Sequence, residues 1–185
     1  MLVLASNSPR RRDILTMLGY SFEVCPADVD ETMAAGVSVD DAVAELAARK
    51  AGAVFASRPG DIVLGADTVV VIGGDVLGKP RDEDDAARLL RMLSGRVHEV
   101  YTGVSIVSPD KSIGFFGRTL VEFMPLSERD VAEYIATGEP MDKAGAYGIQ
   151  GRGSVLVRRI EGDFYNVMGL PAAGVHNELK SIMRL

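Results

Sequence analysis

Ile62-Val63-Leu64-Gly65-Ala66-Asp67-Thr68-Val69-Val70-Val71-Ile72 is the most apolar strand candidate in the chain. Its β-branched content suits a strand in the middle of a sheet, covered on both faces. Gly73-Gly74-Asp75 then marks a turn. Asp67 is the conflict inside this run, because an ionised carboxylate costs on the order of several kcal/mol to bury unless it is paired. Either neighbouring N–H groups satisfy it as a structural residue, or it works: it can hold a metal ion, or orient and deprotonate a water. The functional reading is favoured, and Gly65 would let another backbone or a ligand come close.

Outward from this strand, helical and extended patterns mix. Towards the N-terminus, Leu2 to Ala5 reads as a short buried strand. Ser8-Pro9 supplies an N-cap and first residue for a helix through Ile14, Leu15 and Leu18, stopping at Gly19. Phe22 to Cys25 is apolar and leads into Asp28-Val29-Asp30-Glu31. Val43, Leu46, Ala47 and Val54 give one buried face to a helix over Val39 to Ala56. Towards the C-terminus a helix is expected near Asp84 to Leu93, with the acidic run Asp82 to Asp85 capping it and Ser94-Gly95 ending it. Val97 to Val107 alternates, with His98, Val100, Thr102, Val104 and Ile106 on one face, and a second strand ends near Phe123. Ser127 starts a helix through Tyr134, closed by Gly138 and Pro140. Val155 to Ile160 and Phe164 to Val167 read as a hairpin across Glu161-Gly162-Asp163, and a last helix begins near Pro171. Hairpins among the helices exclude a pure βαβ repeat. The expected fold is α/β, a mixed twisted sheet with flanking helices.

With 185 residues and no repeat or linker, the chain reads as a single domain, 1–185. Apolar residues at 47% and charged residues at 25% exclude bulk disorder. A net charge of -6 argues against a nucleic-acid coat, which needs positive charge to displace counterions from phosphates. Cys25 is the only cysteine, so an intramolecular disulfide is excluded. The short apolar start runs into Arg10-Arg11-Arg12, the reverse of a secretory signal, and no run is long enough for a membrane helix. The expectation is a cytoplasmic protein.

Arg10-Arg11-Arg12 is the second conflict. A helix N-terminus carries free N–H groups and partial positive charge, so arginines there repel it. Either they point into solvent, or an anionic ligand accepts from backbone N–H groups, Ser6, Ser8 and arginine together. Glu31, Lys50 and Lys79 each read as surface residues by themselves. Together they would suit a metal-bound polyphosphate, acids holding the cation and lysines neutralising phosphoryl oxygens. The run Asp142 to Gly151 reads as a tight loop too small and glycine-rich for a core element, in which Gln150 could read a base edge. His98 and His176 share no metal spacing and read as structural, and the eight methionines as core.

Taken in order, these motifs resemble the Maf family of nucleoside triphosphate pyrophosphatases. The resemblance rests on Leu4-Ala5-Ser6-Asn7-Ser8-Pro9-Arg10-Arg11, Val29-Asp30-Glu31, Ala48-Arg49-Lys50-Ala51, Gly65-Ala66-Asp67-Thr68-Val69-Val70 and Gly78-Lys79-Pro80-Arg81. Ser94-Gly95 with His98, Thr102-Gly103-Val104, Asp142 through Gly151 and Asn166-Val167-Met168-Gly169-Leu170-Pro171 complete it. It implies a fold like that of the inosine triphosphate pyrophosphatases and hydrolysis between the α- and β-phosphates of a nucleotide. A divalent cation is implied, magnesium with manganese or cobalt as alternatives. Carried over, Asp67 is the proton acceptor, Ser8, Arg10 and Arg11 hold phosphates, and Glu31, Lys50 and Lys79 complete the charged site. Glu31 and Asp67 are then the metal-side carboxylates. Arg10, Thr68 and Gln150 resemble the branch acting on dTTP and UTP. The branch acting on 7-methyl-GTP has tryptophan, glutamine and glutamate there. The implied partner is a nucleoside triphosphate, not a nucleic-acid polymer or a membrane, in a house-cleaning role; a homodimer would be in keeping with the family. A nucleotide-sensing regulator of septum formation, with little turnover, is the rival reading.

Overall fold

The computed structural model describes residues 1–34 and 36–183. The elements run β1 (Leu2–Leu4), α1 (Pro9–Met17), β2 (Phe22–Val24), α2 (Val39–Ser57), β3 (Ile62–Ile72), β4 (Asp75–Leu77), α3 (Glu83–Leu93) and β5 (Val97–Val107). They continue with β6 (Ser112–Phe123), α4 (Glu128–Ile135), β7 (Val157–Glu161), α5 (Phe164–Met168) and α6 (Ala172–Met183). Three 3-10 turns, Glu139–Asp142, Ala144–Ala146 and Gly151–Leu156, lie between α4 and β7. Among the described residues the strands form one mixed seven-stranded sheet, ordered β2-β1-β3-β5-β6-β7 with β4 on β3. β1 runs parallel to β2 and β3, whereas β4 pairs antiparallel with Val70–Ile72 and β7 antiparallel with β6. This is the mixed α/β class expected from the sequence.

The chain groups into two compact units, each made of separated segments. The first is Met1–Thr68, Thr102–Gly117 and Gly169–Leu185; the second is Val69–Tyr101 and Arg118–Met168.

In the first unit, β1 is buried throughout and Ala5 N–H donates to the Leu64 carbonyl, extending the ladder with β3. Ser8 precedes α1 in extended backbone with Pro9 at the first helical position, and Gly19 leaves the helix at φ +79°. Ser38 caps α2 by accepting from Asp41 N–H, with Asp40 and Asp41 favourably placed in the first turn. Two glycines then set how close α2 lies to the sheet. A Cβ on Gly65 of β3 would sit 2.5 Å from the Ala47 carbonyl oxygen, and one on Gly103 of β5 would sit 2.1 Å from that of Val43. The close neighbour anticipated at Gly65 is therefore the backbone of α2.

The core of the second unit is built from Ile72, Leu89, Leu90, Leu93, Val100, Val121 and Phe123. Asp82 caps α3 by accepting from Asp85 N–H at 2.8 Å, as the acidic run implies, and Ser127 with Asp130 forms a capping box on α4. Three sequence expectations fail here. The hairpin across residues 161–163 is absent, because β7 pairs with β6 and residues 164–168 form α5. Gly162 at φ +132° turns the chain out of the strand, and Asp163 then accepts from Tyr165 N–H, starting a helix. The run from Asp142 to Gly151 does contribute to the core: Ala146, Tyr147 and Ile149 are buried, and Tyr147 stacks edge-on against His98 and Phe123. The methionines are core only in part: Met168 is buried and Met92 and Met141 pack against the core, whereas Met1, Met17 and Met124 are exposed. His98 is structural, as expected, its Nε2 2.7 Å from the Tyr147 hydroxyl.

Candidate active site

The close approach at Gly65 decides where Lys50 goes. Side chains two apart on a strand share a face, so Asp67 points the same way as Gly65. Lys50 lies on α2 between Ala47 and Ala51, the two residues nearest to Gly65. Its Nζ reaches Asp67 Oδ1 at 2.6 Å and Glu31 Oε1 at 2.7 Å. Lys50 is buried, the Asp67 side chain is 13% exposed, and that of Glu31 is 59% exposed. The array therefore grades from the interior to solvent, and the strand carboxylate that looks costly in the sequence is partly buried and has its cation. Arg49, next to Lys50, donates to the carbonyls of Asp30 and Thr32 and so fixes the segment on both sides of Glu31. Nothing in the sequence singles out Arg49 beyond its place in the Ala48–Ala51 motif.

The arginine run resolves into three environments. Arg12 is exposed, Arg10 is half-buried, and Arg11 turns inward and is buried. Arg11 Nε donates to the Gly169 carbonyl at 2.8 Å, Nη1 to Ser6 Oγ at 3.0 Å and Nη2 to Thr68 Oγ1 at 3.1 Å. Burial lowers its pKa from the usual guanidinium value; Asp67 and Glu31 oppose that shift and Arg10 adds to it. Thr68 Oγ1 is also 2.9 Å from Thr102 Oγ1, and Ser6 Oγ accepts from Ser8 N–H at 3.2 Å. The Ser8 side chain makes no capping bond to α1, and the first turn holds no acid. Thr102, read from the sequence as an inward strand position and as part of the Thr102-Gly103-Val104 motif, lies within hydrogen-bonding distance of Thr68.

The first unit thus brings together Glu31, Lys50 and Asp67, and likewise Ser6, Arg11 and Thr68. Lys79 and Gln150 belong to the second unit, and both are exposed. Lys79 follows β4, and the carbonyl of its neighbour Gly78 accepts from Gly145 N–H at 3.0 Å. The loop carrying Gln150 is held on both sides. Gly148 N–H donates to the Tyr134 hydroxyl at 3.0 Å, and Arg152 and Gly153 N–H donate to the Glu139 carboxylate at 2.9 and 3.2 Å. Glu139 and Tyr134 are residues that sequence reasoning missed, since each lies more than ten positions from the loop it holds.

Among the described residues, no group of three or more His, Cys, Asp or Glu is gathered to hold a metal. The donors present are the two carboxylates of Glu31 and Asp67. That oxygen set fits a hard divalent cation such as Mg²⁺, which takes one or two carboxylates and completes its shell with substrate phosphates and water. Among the described residues, no helix is long and apolar enough to cross a membrane.

Known proteins share this pattern along the chain. A protein from Bacillus cereus strain B4264 named dTTP/UTP pyrophosphatase is 48% identical over 179 residues, covering 97% of this chain and 94% of its own. A protein of the same name from another Bacillus cereus strain is 49% identical with the same coverage. A crystal structure of protein VC0702 from Vibrio cholerae covers 96% of both chains at 12% identity and a TM-score of 0.40, too distant a likeness to inform the site. The family model described as Maf-like protein matches residues 1–182, and this chain belongs to that family.

Proposed function

We propose that the chain is a dTTP/UTP pyrophosphatase, converting these nucleotides and modified pyrimidine triphosphates to the monophosphate and pyrophosphate. The names of relatives at 48% and 49% identity support this. The observation that carries it in this chain is the Glu31–Lys50–Asp67 array, a partly buried strand carboxylate oriented by a buried ammonium. The family match over residues 1–182 supports reading residues 1–185 as a single domain.

In this reading a water oxygen attacks the α-phosphorus as the bond to the bridging oxygen breaks, and the electron pair leaves with pyrophosphate. Asp67 accepts the water's proton. Lys50 holds Oδ1, so Oδ2 is the oxygen that takes the proton. Ser8 and Arg10 bind phosphoryl oxygens, and Lys79 neutralises charge gathering on the leaving pyrophosphate. Glu31 and Asp67 would hold the divalent cation, which when bound neutralises phosphate charge. Arg10, Thr68 and Gln150 select the base. The Gln150 amide, one donor and one acceptor, matches the N3–H and a carbonyl of uracil or thymine.

The test is pyrophosphate and monophosphate release from a panel of nucleoside triphosphates with the purified chain and magnesium. Turnover of dTTP and UTP with weak action on ATP and GTP is expected. Preference for 7-methyl-GTP would overturn the pyrimidine assignment. Nucleotide binding without turnover of any triphosphate would overturn the enzyme and leave a sensor.

A further inference from the structure

We propose that Arg11 is a positioning residue for base selection: its guanidinium fixes the Thr68 hydroxyl rather than gripping phosphate. The inference rests on Thr68 reading the base, as proposed above, and goes beyond it by assigning the network behind Thr68. Three observations carry it. Arg11 is buried, and its Nε, Nη1 and Nη2 are each engaged by a neutral acceptor of this chain. The two carboxylates of the site are bonded to Lys50, so Arg11 is held in place by the Gly169 carbonyl and two hydroxyls. A guanidinium only donates, so Thr68 Oγ1 must accept from Nη2, which fixes one of its lone pairs in direction.

Thr102 Oγ1 at 2.9 Å constrains the same oxygen from β5. Either hydroxyl of the Thr68–Thr102 pair can donate; where Thr102 donates, Arg11 and Thr102 together fill both lone pairs of Thr68 Oγ1 and its proton is presented to a substrate acceptor. The 4-carbonyl of thymine or uracil fits that donor, whereas cytosine carries a donating amino group there. Gly169 belongs to the same device. It has φ +111°, and a Cβ there would come within 3.4 Å of Thr68 Oγ1 and 3.7 Å of Arg11 Nε. A side chain at 169 would crowd the contact that orients Thr68.

The experiment measures kcat/KM for dTTP and CTP, and inhibition by inorganic tripolyphosphate, in wild type, Arg11→Lys, Thr102→Val and Thr68→Val. Lysine keeps the charge but cannot span three acceptors. Arg11→Lys is expected to lower the dTTP:CTP ratio about tenfold, the scale of one hydrogen bond aimed at a substrate, with tripolyphosphate inhibition unchanged within about twofold. Thr102→Val should shift the ratio the same way by about threefold. A uniform rise in KM for both nucleotides, matched by weaker tripolyphosphate inhibition and an unchanged ratio, would make Arg11 a phosphate ligand and overturn the proposal. If Arg11→Lys does not fold, Thr102→Val decides: an unchanged ratio in that folded variant overturns it. If Thr68→Val leaves the ratio intact, the base-reading role of Thr68 fails first, and the proposal falls with it. If Thr68→Val collapses the ratio while the other two variants do not, only the positioning role fails. Should wild type turn over neither nucleotide, calorimetric affinities for dTTP and CTP supply the same ratio.

Discussion

Lys50 in the first unit and His98 in the second are both buried, and opposite chemistry keeps them there. Lys50 sits between two carboxylates at 2.6 and 2.7 Å, so its surroundings answer charge with charge. His98 meets the neutral Tyr147 hydroxyl and the edge-on ring of Phe123, and burial pushes its pKa down to about 4. Burial also raises the Tyr147 pKa, so that hydroxyl stays protonated. One unit buries a charge it can use; the other buries a titratable ring by keeping it uncharged. Paired buried charge suits chemistry, and neutral buried polarity suits packing.

Removing a charge from the first unit should have the largest effect. Asp67→Asn keeps the shape and removes the proposed proton acceptor, and turnover should fall by about 10²–10⁴-fold while the protein stays folded. Pyrophosphate release and circular dichroism on the same sample check this. Lys50→Met strands Asp67 without its cation, and urea unfolding should show a loss of about 3 kcal/mol. Adding Asp67→Asn to Lys50→Met should recover much of that stability and none of the activity.

The second unit should answer to pH instead. Folded His98 takes up a proton only near pH 4, whereas the unfolded chain does so near 6.5. Between these values the unfolded state binds more protons, so stability falls as pH falls from 6.5 to 4 and this contribution levels off below that. The shift from 6.5 to about 4 corresponds to about 3 kcal/mol. His98→Gln should flatten that part of the stability curve relative to wild type. The smallest effect sharpens the contrast from outside both clusters. Ser38→Ala removes the α2 cap and should cost about 1 kcal/mol, leaving turnover per folded molecule unchanged.

Much of this contrast is legible in the chain. β3 matches the apolar run from Ile62 to Ile72, because a strand buried on both faces needs no alternation. Asp67 and the arginines stand out because each breaks a local rule, and such breaks are what mark a candidate site in a sequence. What stays hidden depends on distance across the fold. Asp67 finds Lys50, 17 positions away, because Gly65 admits a helix backbone, and no local pattern separates that use of glycine from a ligand's approach. Tyr147 enters the core from a glycine-rich run that resembles a surface loop, since 3-10 turns carry no strong periodic signal. α5 reads as a strand in the sequence because five residues with an aromatic start fit either pattern.

The single bond from Gly145 N–H to the Gly78 carbonyl joins the turn beside Lys79 to the stretch leading to Gln150. The loop proposed to grip pyrophosphate and the loop proposed to read a base thereby share a common latch. Its amide proton can exchange with deuterated solvent only when that latch lifts. The exchange rate of that one proton, with and without nucleotide, times the parting of the two loops.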